Sequence, residues 1–81
     1  MLGSRVYVLL DVVEGKSDQV ARALQRRAGV RIVDVLEDSP NVIMVIEAGD
    51  RHELARLTVQ ALALVEAMTD DVRLLPAKDD R

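Results

Sequence analysis

The sequence predicts an α+β, ferredoxin-like fold, in which a four-stranded antiparallel sheet carries two helices on one face. Two observations predict it. Aliphatic strand-like runs and helix-periodic runs follow one another in the order β-α-β-β-α-β, and short polar turns separate them. With right-handed crossovers, the strand order is 4-1-3-2. The 81 residues leave room for one core, so we expect a single domain over 1–81, with a core at about 5–77 and a flexible tail at 78–81.

The first strand and the first helix have clear periodicities. The run "RVYVLLDVV" at residues 5–13 is rich in β-branched and aliphatic residues, which is typical of a strand. Gly15 breaks this run and allows a turn. A helix is then predicted over residues 18–28, because apolar side chains recur about one turn apart, at Val20, Leu24 and Ala28.

The ends of this helix carry recognisable signals. Ser17 or Asp18 is expected to cap its start, and Gly29 is expected to end it as a C-terminal cap. The run "VRIVDVLE" at residues 30–37 predicts the second strand. The residues "DSPN" at 38–41 are each turn formers and predict a tight connection to the next strand.

The second half of the chain repeats the pattern. The run "VIMVIEA" at residues 42–48 predicts the third strand. Asp50 and Glu53 form a pair like a capping box, which starts a helix that extends to about residue 68. The run "VRLLPA" at residues 72–77 predicts the fourth strand, and Pro76 places that strand at an edge or the proline at a strand end.

Two helices can cover only one face of such a sheet, so the other face should be polar. It is not: the side of the strands that faces away from the helices is predicted to carry Tyr7, Leu9, Val13, Ile43 and Val45, interrupted by Asp11 and Glu47. The second strand adds either Ile32 and Leu36 or Val33 and Val35. An apolar patch of this extent marks an interface.

The open face therefore predicts a homodimer that packs sheet against sheet. We expect its interface to include Tyr7, Leu9, Asp11, Ile43 and Val45. Asp11 and Glu47 are expected near opposite ends of the sheet, where they pair with arginines at Arg5, Arg31 or Arg73. A wide apolar arc on the second helix hints at a higher oligomer.

Composition excludes several classes of site. The chain has no cysteine, one histidine (His52) and one aromatic residue, so neither a thiolate or multi-histidine metal site nor a cofactor is predicted. The net charge of −3 argues against a nucleic-acid surface. No apolar run approaches the length of a membrane helix. We expect a cytoplasmic protein that binds neither nucleic acid directly nor a membrane.

Three segments resemble the ligand-sensing domain of Lrp/AsnC transcription regulators, which is of the dimeric α+β barrel type. They are "VYVLLDVVEGK" at 6–16, "ALQRRAGVRIVDV" at 23–35 and "DSPNVIMVIEA" at 38–48. The resemblance implies a module that dimerises through its sheet, builds larger rings and senses an amino acid. The family's turn reads glycine, any residue, an aromatic residue and aspartate; Asp38, Ser39, Pro40 and Asn41 replace it here. Because the sequence contains no helix-turn-helix segment, the module is not expected to bind DNA by itself.

The leading functional hypothesis is a non-enzymatic, self-associating regulatory module that binds a small metabolite. Its candidate ligand-binding residues are Asp38, Ser39 and Asn41, which in an oligomer would line a pocket. The competing interpretation of these residues is a hairpin held by bonds from side chains to the backbone. Two other functions stay open: a small α+β barrel enzyme of monooxygenase or isomerase type, and a structural assembly partner of another protein.

Overall fold

A computed structural model describes residues 3–78 of the chain. It contains four strands, two α-helices and a short 3-10 helix that extends the second α-helix. In chain order these are β1 (Ser4–Val12), α1 (Ser17–Gln25), β2 (Val30–Val35), β3 (Val42–Ala48), α2 (Arg51–Val65), the 3-10 helix (Glu66–Met68) and β4 (Thr69–Pro76). The β-α-β-β-α-β order predicted from the sequence is confirmed.

The four strands form one antiparallel sheet in the order β2-β3-β1-β4. This is the predicted order 4-1-3-2 read from the other edge, so the ferredoxin-like topology is confirmed. The two central strands pair along their length, from Ser4 opposite Ala48 to Leu10 opposite Val42. Pro76 lies in β4, which is an edge strand as predicted, so its missing N–H interrupts no pairing within the sheet.

The core lies between the sheet and the helices and is built from aliphatic side chains and methionine. Alternate residues of β1 and β3 point into it, because successive side chains of a strand point to opposite faces. The largest fully buried side chains are Leu10, Leu24, Met44, Ile46, Val8, Val20, Val42 and Val65. Helix α1 packs on β2, and α2 packs on β3 and β1, so the helix layer is displaced from β4. Val72 and Leu74, on the helix side of β4, consequently stay exposed.

Helix α1 begins one residue before its predicted start and ends three residues before its predicted end. It begins at Ser17, after an N-cap at Lys16 that makes no side-chain capping bond, so neither Ser17 nor Asp18 caps it. It ends at Gln25 rather than at Ala28, and Ala28 is exposed. Ala28 extends the apolar periodicity of the sequence, but the chain leaves the helix after Gln25 to reach β2.

Gly29 has a positive φ of 83°, but it does not cap the helix. It leads into β2, where its carbonyl accepts a hydrogen bond of 2.8 Å from the Glu47 N–H. A Cβ at this position would lie 2.7 Å from Leu57 Cδ1 and 2.8 Å from the Glu47 carbonyl oxygen. Both the backbone conformation and the close approach of α2 and β3 therefore require glycine.

The remaining boundaries agree closely with the prediction. Asp50 caps α2 and accepts a hydrogen bond of 2.8 Å from the Glu53 N–H, as expected. Strand β3 covers its predicted range, while β2 ends two residues early. Strand β4 begins at Thr69, three residues before its predicted start. Residues 79–81 of the predicted flexible tail lie outside the described residues.

Candidate functional site: the open sheet face and its polar corner

The sheet face that the helices leave uncovered has an apolar centre on β1 and β3. Tyr7 lies opposite Val45, and Leu9 lies opposite Ile43. Val45 is 8 % exposed in the single chain, because side chains on both neighbouring strands flank it, whereas Tyr7 is 38 % exposed. Leu9 and Ile43 are half-buried. We call this surface, which Leu75 of β4 extends, the open face.

Pairing of β2 with β3 decides which residues β2 contributes to the open face. Ile32 lies opposite Val45, so it shares the open face with it and is 51 % exposed. Val33 lies opposite Met44 and packs against the core. The sequence left two sets possible, and the register selects the one that contains Ile32.

One end of the open face carries a cluster of opposite charges. Glu47 accepts from Arg5 at 3.5 Å and from Arg31 at 3.2 Å. The Arg5 guanidinium also lies 5.7 Å from the centre of the Tyr7 ring, within the range of a cation–π contact. Glu47 therefore pairs with arginines, as the sequence predicted, and these groups are exposed enough that each pair contributes at most about 1 kcal/mol.

The turn between β2 and β3 folds onto the opposite end of the open face, beside Asp11. Ser39 Oγ donates a hydrogen bond to Asp11 Oδ1, and the Ser39–Pro40 peptide bond is cis. Asp38 is exposed. Of the three candidate ligand-binding residues, the structure thus brings Ser39 to Asp11 and leaves Asp38 at the surface.

Asn41 holds this turn to the sheet. Its Oδ1 accepts from the Val12 N–H at 2.8 Å, and its Nδ2 donates to the Val12 carbonyl at 3.1 Å. Its own backbone N–H donates to the Leu10 carbonyl at 3.0 Å, and its carbonyl accepts from the Leu36 N–H at 2.8 Å. The Asn41 side chain therefore substitutes for a backbone group of a strand residue just before the start of β3.

A small cavity of about 200 Å³ opens at this end of the open face. Its lining residues are Leu9, Asp11, Ser39, Pro40, Asp71 and Arg73. Asp71 lies directly opposite Asp11 on the neighbouring strand, and Arg73 lies opposite Leu9. We call Asp11, Ser39, Asp71 and Arg73 the polar corner. It combines two carboxylates, a guanidinium and a hydroxyl around one opening.

The sequence did not predict Asp71 at this site, and it predicted Arg73 only as an ion-pair partner of Asp11 or Glu47. The signal for both was the alternation in "DVRL", where Asp71 and Arg73 are separated by the apolar Val72. That alternation assigns both residues to one face of β4. It does not show that β1 brings Asp11 beside them, because strand pairing is a tertiary property.

Elsewhere, His52 is exposed in the first turn of α2 and lies on a shallow surface depression with Ala55, Arg56, Val59 and Gln60. A larger cleft of about 490 Å³ separates α2 from β4 and is lined by Val59, Leu62, Ala63, Glu66, Thr69, Asp70, Asp71 and Val72.

Among residues 3–78, no cluster of three or more histidine or acidic side chains could hold a metal ion. Within the same range, no helix has the length and apolar character needed to cross a membrane.

The sequence matches no protein-family model and no curated protein. The fold, by contrast, closely matches solved structures. The hypothetical protein PHS023 from Pyrococcus horikoshii has a TM-score of 0.83 at 15 % identity, over 93 % of this chain and 89 % of that one. The protein FFRP-DM1 has a TM-score of 0.81 at 15 % identity, over 93 % of this chain and 99 % of that one.

Longer proteins also contain this fold. The structure of PH0061 has a TM-score of 0.82 at 16 % identity, and this chain, matched over 98 % of its length, spans 54 % of it. The chain therefore spans about half the length of that neighbour and nearly all of the two shorter ones. At 15–16 % identity, these likenesses show the fold that the chain shares with these proteins. At the level of fold, the resemblance to the Lrp/AsnC ligand-sensing domain is confirmed.

Proposed function

We propose that the chain is a non-enzymatic regulatory module that forms a homodimer through its open face and binds a small metabolite. The observation that carries the proposal is the apolar centre of the open face, where Tyr7, Leu9 and Ile43 remain partly exposed in the single chain. Burial of such side chains contributes about 1.5–3 kcal/mol each, which is a large gain for a domain of this size. Fold neighbours of Lrp-family regulator type support the regulatory role.

The ligand-binding part of the proposal centres on the turn at 38–41 and the cavity beside it. Asp38, Ser39 and Asn41 remain the proposed ligand-binding residues, with Asn41 fixing the turn through Val12 and Ser39 facing the cavity. Asp11 and Asp71 give the cavity an acidic side that favours a ligand with an ammonium group, such as an amino acid or a related metabolite. The volume of about 200 Å³ limits the ligand to a small one.

The experiment combines sedimentation with thermal unfolding of the intact chain. We expect a dimer at micromolar concentration and an upward shift of the melting temperature with at least one of the 20 standard amino acids. A monomer at that concentration would overturn the dimer. A dimer whose melting temperature no amino acid changes would overturn the sensing role and favour an assembly partner, which co-purification would then identify.

An enzymatic role has weaker support. It requires Tyr7 or His52 beside an acid in an enclosed pocket. The described residues that line the depression around His52 include no carboxylate, and Tyr7 contacts the Arg5 guanidinium. A single domain over 1–81 and a cytoplasmic location stay predictions that accompany the proposed function.

A further inference from the structure

Two rows of side chains cross the whole open face, from one sheet edge to the other. The register of the three strand pairs places Ile32, Val45, Tyr7 and Leu75 in the first row and Asp34, Ile43, Leu9 and Arg73 in the second. The first row is apolar throughout. The second row is apolar in the middle, with a negative charge at the β2 edge and a positive charge at the β4 edge. We call these the apolar row and the charged row.

The two charges of the charged row have no ion-pair partner among the residues that the structure describes. Neither Asp34 nor Arg73 forms an ion pair or a side-chain hydrogen bond with any of the residues 3–78, and both are exposed. Three strand spacings of about 4.8 Å separate them, so they lie on the order of 14 Å apart across the sheet. Within a single copy, Asp34 and Arg73 are therefore too far apart to pair with each other.

We propose that two copies pack face to face about a twofold axis that runs parallel to the strands, so that Asp34 of each copy pairs with Arg73 of the partner subunit. This inference rests on the proposed dimer and specifies its arrangement. An axis in this direction places each row over the same row of the partner. It also exchanges the two sheet edges, so that β2 lies over β4 of the partner. The ion pair then occurs twice, once at each rim.

The same axis matches the rest of the face. In the charged row, Leu9 lies over the partner's Ile43, and in the apolar row Tyr7 lies over the partner's Val45. Ile32 lies over the partner's Leu75, so apolar groups meet apolar groups through the centre. Packed sheets lie about 10 Å apart, a gap that an arginine and an aspartate side chain reaching from opposite sides can close.

A twofold axis perpendicular to the strands gives a worse match. If it runs between the two rows, Asp34 lies over the partner's Ile32, and Arg73 lies over the partner's Leu75, which buries both charges against apolar groups. If it runs along the charged row, Asp34 lies over the partner's Asp34, and like charges meet. The distribution of charge therefore selects the axis parallel to the strands.

The test uses two charge-reversal variants, Asp34→Arg and Arg73→Asp. Each variant alone places like charges at both rims, so sedimentation equilibrium at low salt should show self-association at least tenfold weaker than in the native chain. An equimolar mixture of the two variants restores opposite charges at both rims. We expect the mixture, and the double variant D34R/R73D, to associate within a few-fold of the native chain.

The matched controls are Asp18→Arg and Arg22→Asp, which make the same charge changes on the exposed side of α1, away from the open face. They should leave self-association unchanged. Circular dichroism and thermal melting check that every variant folds. If a charge reversal prevents folding, Asp34→Asn and Arg73→Gln carry the test, and each should reduce the salt dependence of dimerisation.

Outcomes separate this inference from the proposed function. If the native chain dimerises and both variants dimerise equally well, the Asp34–Arg73 pairing is overturned while the dimer stands. If both variants are weakened but the mixture is not restored, the pairing is overturned as well. If the native chain is a monomer, the proposed dimer itself fails. Restoration in the mixture supports the arrangement, because only reciprocal contact between these two positions predicts it.

Discussion

The two faces of the sheet are built from the same strands, yet they differ sharply. On the covered face, Val8, Leu10, Met44 and Ile46 are fully buried beneath the helices. On the open face, the intervening residues are also apolar at the centre, but Tyr7 keeps 38 % of its surface exposed. Because successive side chains of each strand point to opposite faces, the covered face stabilises the single chain and the open face is available for association.

The largest effect should come from the covered face. Leu10→Ala removes a fully buried side chain and leaves a cavity, so we expect a loss of about 2–5 kcal/mol in the free energy of unfolding. In a domain this small, that is enough to unfold much of the population. Urea denaturation followed by circular dichroism measures it. A loss below 1 kcal/mol would show that the covered face is not the main source of stability.

Ile43→Asp should weaken the dimer and leave the single chain folded, because Ile43 lies at the centre of the open face and is half-buried. We expect the dissociation constant of the dimer to rise at least 100-fold, as a carboxylate would be buried without a partner. Dilute Ile43→Asp protein should remain folded, as circular dichroism will show. Sedimentation velocity distinguishes dimer from monomer, and Val59→Asp on the exposed side of α2 is the control. If Ile43→Asp dimerises as well as the native chain, the open face is not the dimer interface.

Gly29 and Gly15 form a matched pair of glycines with positive φ values of 83° and 84°. Gly29→Ala adds a methyl group within 3 Å of Leu57 and of the Glu47 carbonyl, whereas Gly15→Ala meets nothing within 4 Å. Both replacements cost about 1–2 kcal/mol for the backbone. Gly29→Ala should cost at least 1 kcal/mol more, because the neighbouring atoms must shift. Equal losses in thermal unfolding would show that the close approach does not matter.

Asn41→Ala tests the junction between the turn and the sheet. The change removes both side-chain hydrogen bonds to Val12, so we expect a loss of about 1–2 kcal/mol in the free energy of unfolding. A loss of this size lowers the melting temperature by several degrees in a domain of this length. Ser39→Ala is the control, since among residues 3–78 its hydroxyl bonds to Asp11 Oδ1 alone, near the protein surface. If both changes have the same effect, Asn41 does not anchor the turn.

The smallest effect lies on α2, outside both faces. A hydrogen bond from Arg56 lowers the pKa of the Glu53 carboxyl below its ordinary value. Because the pKa is lower in the folded chain, the associated stability is present above the unfolded pKa and is lost as the pH falls through the folded pKa. Both side chains are exposed, so this contribution is small. In Arg56→Gln, an NMR titration should show the Glu53 pKa moving up toward its ordinary value; an unchanged pKa would contradict this cause.

The comparison of the two faces also explains how far the sequence could predict the structure. A strand beneath the helices has a continuous apolar run in the sequence, so the bounds of β3 were predicted residue for residue from "VIMVIEA". Strand β4 was predicted three residues short, since Thr69, Asp70 and Asp71 show no apolar pattern and become strand only by pairing with β1. The end of α1 was missed for a similar reason, because the chain leaves the helix before Ala28 to pair Gly29 with Glu47.

The candidate site was less predictable than the fold. The turn at 38–41 was recognisable from its composition, and the apolar centre of the open face was recognisable from the missing alternation in β1 and β3. The polar corner was not, because Asp11, Ser39 and Asp71 come from three separate parts of the chain. Their proximity depends on the β1–β4 register and on the position in which Asn41 holds the turn.

The outer strand β4 has one more consequence, which concerns the solubility of the protein. An unpaired strand edge is a template for further strands, and chains that add to one another in this way form fibrils. Two adjacent aspartates, Asp70 and Asp71, lie near the start of this strand, and Pro76, which lacks an N–H, lies at its end. Charge repulsion at one end and a missing donor at the other oppose such stacking, so further strands should not add readily to the β4 edge even when the protein is concentrated.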